Sequence, residues 1–265
     1  MNYSGKKEIK ERGLIRLSAL IFLLAGLFIF NQAPGSAASA DAIAVRVMPN
    51  LKQLSPERWY ALSVKNPGSP QDLTVDGYRA VRDGRTVYVS AANVDLTNKK
   101  FYANIYIISY DQRAEDRTID IFGRLLTHWK FNINLNPEQK ESARRDTVRL
   151  ADLELMNGLL KKYQSENNGA GPELAAGSYL AGFSVSVWPS WRETLSAALG
   201  ANLPLDPVNA LAPCPSYNNQ ATCWDENNKN FYFNFSGQEP SINSSPVYWY
   251  HNAEFRVNLE FKFPV

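Results

Sequence analysis

The segment from Asp146 to Gly169, DTVRLADLELMNGLLKKYQSENNG, limits most strongly how this chain can fold. Val148, Ala151, Leu155, Leu159 and Tyr163 recur at helical spacing, and Leu150, Leu153, Met156 and Leu160 widen the apolar stripe, with charged residues opposite. A polar stretch opening at Asn136-Pro137-Glu138-Gln139 leads into it, and Asn167-Asn168-Gly169 supplies residues that tolerate positive φ and end it. A helix this apolar on one face does not stand alone in water, so the strands that follow must cover it. No ion pair holds it at ideal spacing, because Glu154 approaches neither Lys161 nor Lys162. Gly158 costs about 1 kcal/mol relative to Ala in a helix interior; close packing against a sheet would account for it.

Covering strands are present downstream. Gly182 to Trp188 alternates, Pro189-Ser190-Trp191-Arg192-Glu193 opens a short helix through Leu199, and LPLDPVN (203–209) is a rigid turn. Phe231–Phe235, Val247–Tyr250 and Phe255–Phe263 read as three antiparallel strands. Trp188 and Trp191 bracket Pro189. With Trp224 they form a candidate aromatic binding surface, against the plainer reading of a helix start packed on the core.

The first half reads as β-rich. Residues 41–49 alternate, and Ser55-Pro56-Glu57 predicts a capped short helix through about Leu62. Asp76-Gly77 and Asp83-Gly84 each lie between strand-like residues and predict hairpins. FYANIYIISY (101–110) has the aromatic and β-branched content of a central strand, and Ile121, Leu125 and Trp129 predict a helix over about 118–128. His128, Asp120 and Glu138 have no spacing that ties them to a nucleophile or to one another, so satisfied structural roles are expected for them. The expected class is α+β: a β-rich N-terminal unit over 41–135, then a long helix packed on a small antiparallel sheet over 136–265.

Residues 1–40 carry a basic head, an apolar run from Leu17 to Phe30 and a small-residue stretch ending Ala38-Ser39-Ala40. That is the order of a secretory signal. The run is shorter than the roughly 20 residues that span a bilayer comfortably. Leu14 and Ile15 extend it across Arg16, so cleavage and retention as a single membrane anchor both stand. Either places residues 41–265 outside the cytoplasm.

The formal charge of +2 is slight and forms no basic stripe, which argues against nucleic acid as a partner. Cys214 and Cys223 are the only cysteines, nine apart and downstream of the export signal. An oxidising compartment favours their disulfide over free thiols, and a metal site would need two further ligands.

The second half, over residues of about 142–250, resembles the globular domains of type IV pilins and type II secretion pseudopilins. The resemblance rests on RLADLELMNGLLKKYQSENNG, the Trp191–Leu199 helix, the turn Leu203 to Asn209 and the late aromatic strands. The whole is similar in style to envelope proteins of candidate-phylum bacteria. The resemblance implies a helix followed by a variable loop and a small antiparallel sheet. It also implies a candidate calcium site among Asp206, Asn209, Asp225, Glu226 and Asn228, although Asp and Asn are equally the residues of ordinary turns. No other cofactor is expected. The expected function is non-enzymatic: an extracytoplasmic structural or adhesion component contacting envelope or surface proteins. The alternatives are a carbohydrate- or peptide-binding module, and a secreted hydrolase.

Overall fold

A computed structural model describes residues 41–174, 177–178, 181–211 and 246–263, together with the backbone of 223–225 and 230–232. The described residues belong to one compact unit, and the class is α+β.

The first half builds a five-stranded antiparallel sheet in the order β1-β5-β4-β3-β2. The strands are β1 (Ile43–Pro49), β2 (Gln71–Val75), β3 (Tyr78–Asp83), β4 (Thr86–Asp95) and β5 (Lys100–Tyr110). The Asp-Gly signals make its hairpins. Asp76 and Gly77 both hold positive φ, 50° and 79°, in a two-residue turn that joins Val75 to Tyr78. This is the turn whose twist matches that of the flanking strands. In the next hairpin Asp83 is the last strand residue, and its carboxylate accepts from Tyr60 Oη at 2.6 Å and Gly68 N at 3.0 Å. FYANIYIISY is an interior strand, as expected, paired with β1 on one side and with all of β4 on the other.

Helices cover both faces of this sheet. Helix α1 (Pro56–Ser63) is capped by Ser55, whose side chain accepts from Arg58 N. It lays Trp59 against Tyr88, Ile105 and Ile107. Helix α2 (Asp116–His128) sets Phe122 against the opposite face, with Val87, Val89 and Ile108. Alternation along β4 and β5 separates the two sets.

Helix α3 (Pro137–Glu166) runs 30 residues, roughly 45 Å. Its start is a reciprocal cap: Gln139 N donates to Asn136 Oδ1 at 2.8 Å, and Asn136 N donates back to Gln139 Oε1 at 3.2 Å. Its N-terminal part puts Ala143 into the core of the five-stranded sheet. Its later turns put Met156 and Leu160 into a second core with Trp191, Leu195, Leu203, Tyr248, Tyr250 and Phe255. That core lies on a three-stranded sheet of order β10-β9-β6, from β6 (Phe183–Val185), β9 (Tyr248–His251) and β10 (Glu254–Val257). A two-stranded ribbon pairs β7 (Cys223–Asp225) with β8 (Asn230–Tyr232). Trp191–Leu195 forms one π-helical turn that continues into α4 (Ser196–Leu199), closed by Gly200 in the left-handed region.

Three expectations need correcting. The buried side of α3 is not purely apolar: Asp146, Arg149 and Asp152 lie on it, while Leu155, Leu159 and Tyr163 are only half-buried. Gly158 is exposed and a Cβ there would meet nothing within 4 Å, so close packing does not explain it. The alternating run Phe255–Phe263 leaves the ladder after Val257. The backbone amides of Glu260 and Phe261 bond the carboxylate of Asp146 instead of a neighbouring strand.

Candidate functional site: a buried charge clasp

The strongest concentration of polar chemistry surrounds Arg149. Helix α3 directs this side chain inward, and it is 0% exposed. Its Nε donates to Asp206 Oδ2 at 2.6 Å and its Nη2 to Asp206 Oδ1 at 2.8 Å, the two-point geometry of a planar guanidinium on a carboxylate. Its Nη1 donates to Asp146 Oδ1 at 2.8 Å, one helical turn earlier. Its Nη2 also reaches Glu260 Oε1 at 2.5 Å. Arg145 closes the outer side of the cluster by bonding Glu260 Oε2 through Nε at 2.9 Å and through Nη2.

The carboxylates are committed as fully as the cation. Asp146 accepts Glu260 N on Oδ1 at 3.0 Å and Phe261 N on Oδ2 at 2.7 Å. Asp206 Oδ1 also accepts Val208 N at 2.9 Å and Asn209 N at 3.3 Å, holding the turn that the two prolines shape. Burial works against the Arg149 charge, but the hydrogen bonds it donates to Asp206 and Asp146 outweigh it and raise its pKa above the ordinary range. Burial likewise opposes the Glu260 charge, and Arg145 and Arg149 bring its pKa below the usual carboxylate value. The arrangement fastens three stretches to one another: α3, the 203–209 turn and the segment after β10. Its donors and acceptors point at each other and not into a cavity.

Two further buried acids flank it. Asp152 accepts from Tyr248 Oη at 2.8 Å, and burial pushes its pKa up to about 6. Burial also raises the Tyr248 phenol. Asp76, at the β2–β3 turn, is 3% exposed in its side chain and bonds Lys130, Lys140 and Arg144 at 3.1, 3.3 and 3.2 Å. It also accepts Phe131 N at 2.9 Å. Burial opposes its charge, but these donors leave its pKa below the ordinary value.

The residues singled out from sequence fall as follows. Trp188 and Trp191 are 3% and 0% exposed, so both rings belong to the core and give no face to a ligand. Trp191 Nε1 donates to Pro204 O at 3.0 Å. The side chain of Trp224 lies outside the described residues. Asp206 is taken up by Arg149 and backbone amides, while Asn209 sits in the same turn at a φ of 50°. Glu226, Asn228 and the side chain of Asp225 lie outside the described residues, as does Cys214 and with it the pairing to Cys223. Among the described residues no group of three His, Cys, Asp or Glu side chains is placed to hold a metal ion. His128 is exposed, with Nδ1 2.8 Å from Arg124 O, and Asp120 pairs with Arg124 at 2.9 Å on the surface of α2. Among the described residues no helix is long and apolar enough to cross a membrane; residues 1–40 lie outside them.

Sequence reading missed Arg149, Asp146, Asp152 and Glu260. A faint signal was available. Asp146 and Arg149 stand at i,i+3 on the stripe's flank, and Glu260 stands in a segment otherwise read as an alternating strand. No protein-family model matches the chain, and no curated protein and no solved structure does either.

Proposed function

We propose that the chain is a non-enzymatic, extracytoplasmic structural or adhesion component of the cell envelope, working through contacts with other envelope or surface proteins. The observation that carries this reading is the clasp. The residues best suited to chemistry, Arg149 with Asp146, Asp206 and Glu260, saturate one another and hold segments together. A catalytic group needs a free donor or lone pair within reach of a substrate, and this cluster turns its own inward. The charge and hydropathy order of residues 1–40 supports an export route. The enclosed cavity between α1, β3 and α3, lined by Ser55, Gly77, Tyr78, Ser90 and Arg144, is only about 20 Å³, too small for a substrate. Two larger hollows, of about 640 Å³ beside His128 and Trp129 and about 650 Å³ beside Arg85 and Asp111, are open to solvent and bury no set of convergent catalytic groups. Trp188 and Trp191 are core and line no aromatic groove.

The test is cross-linking of the full chain in an intact cell envelope, with the partners identified by mass spectrometry. Cross-links to structural proteins of the envelope are expected. A wholly cytosolic protein would overturn the reading. So would hydrolysis of a defined substrate that one acidic substitution abolishes without lowering the melting temperature.

A further inference from the structure

The five-stranded sheet ends on two strands, β1 and β2, with no further strand beside either among the described residues. Such edges present a row of backbone donors and acceptors to any extended partner. Four successive antiparallel pairings separate the two, so β1 and β2 run in the same direction.

The edges differ in charge. Arg46 is exposed on β1. It shares a face with Met48, which packs beside Trp59 of α1. Asp72 is exposed on β2 and shares a face with Thr74. Thr74 pairs with Arg79, which bonds Glu57 of α1 at 3.2 Å. Both charges therefore project from the face that α1 covers, one at each edge of the sheet. On the opposite face β1 leaves Val45 and Val47 at 46% and 48% exposure, and β2 carries the half-buried Leu73.

We propose that β2 of one copy of this chain adds in parallel to β1 of the next, extending the sheet from copy to copy. With Asp72 level with Arg46 of the neighbour, Leu73 falls beside its Val47 and Thr74 beside its Met48. Each faces the side it already faces within its own sheet, because strand pairing preserves the alternation. This is strand addition at a sheet edge, in which backbone bonds supply affinity and side chains supply register. Charge selects the head-to-tail arrangement. Pairing β1 with β1 gathers two Arg46 side chains on one face, and pairing β2 with β2 gathers two Asp72, and like charges across a pair are unfavourable. The contact joins two different surfaces, so each added copy leaves a free edge and the assembly grows in one dimension. The inference rests on the structural reading above and names one partner for it, a second copy.

The experiment is sedimentation of the full chain in non-ionic detergent over a concentration series. The weight-average mass is expected to rise past that of a dimer. Arg46→Asp or Asp72→Arg alone should weaken association roughly tenfold, through loss of an exposed attraction and gain of a repulsion. The double variant R46D/D72R should restore it. Both positions are exposed, and thermal melts establish that each variant is folded. Three results overturn the proposal: a monomer at every concentration up to about 1 mM, weaker than any specific interface of use; a dimer that does not grow; or single reversals that leave association unchanged. In any of these cases, persisting cross-links to other envelope proteins would leave the proposed function standing, whereas a hydrolytic activity would remove that reading instead.

Discussion

Arg149 and Asp206, 57 positions apart in the chain, meet through two hydrogen bonds, at 2.6 and 2.8 Å. Neither side chain reaches solvent. Asp206→Asn leaves a buried guanidinium without its principal anion and should cost about 3–5 kcal/mol in urea unfolding. The loss should change little between low and high salt, because buried pairs are poorly screened. A loss under about 1 kcal/mol, the range of surface pairs, would show that the clasp is not closed in solution.

Asp152 gives the fold an acid-side gain. Its folded pKa of about 6 lies above the ordinary 3.8, so the folded state keeps a proton that the unfolded chain releases. Holding the ionised form costs stability above pH 6, and that cost is relieved as pH falls from about 6 towards 4. The full relief is about 3 kcal/mol as an upper figure. Tyr248, Arg79, Asp206 and Glu57 surround the group. Denaturation midpoints of wild type minus Asp152→Asn, followed from pH 4 to 7, should trace this slope. A flat difference would refute it.

The Asp76 hub behaves with the opposite sign. Its pKa is depressed, so its contribution is present above pH 3.8 and disappears as pH falls through the folded value. Asp76→Asn keeps a residue that tolerates the φ of 50° but removes the charge that Lys130, Lys140 and Arg144 share. A loss of about 1–3 kcal/mol at neutral pH is expected from thermal melts, vanishing in strong acid.

Gly158→Ala should stabilise the chain by about 0.5–1 kcal/mol, since the position is exposed, helical and sterically open. A destabilised variant in the same melts would mean that a neighbour occupies the site.

What could be read in the sequence was local. Ser55-Pro56 fixed one helix start, Asp76-Gly77 one hairpin, and Asn136 with Gln139 the start of α3, because caps and turns depend on a few adjacent residues. The face of α3 was misjudged for a physical reason. Periodicity counts charged residues as solvent-facing, but Arg149 and Asp146 are buried with partners that the linear order does not bring near. Only the folded chain puts Asp206 and Glu260 within their reach. Likewise, Glu260 broke no alternation, so nothing local announced that the segment after Val257 would leave the sheet. Trp188 and Trp191 owe their core positions to long-range packing that the linear order does not display, Trp188 beside Trp249 of β9 and Trp191 beside Met156 and Leu160 of α3.

The tether between Asp146 and the amides of Glu260 and Phe261 also sets an order of events. Phe261 packs into the same core as Val75, Val87 and Val89, which are made long before it. As the chain emerges, the early hairpins can form, but the floor of their sheet stays open until residues 258–263 arrive and Asp146 catches them. Folding is thus completed by a late arrival, and the floor of the sheet stays open while nearly the whole chain before residue 258 is made.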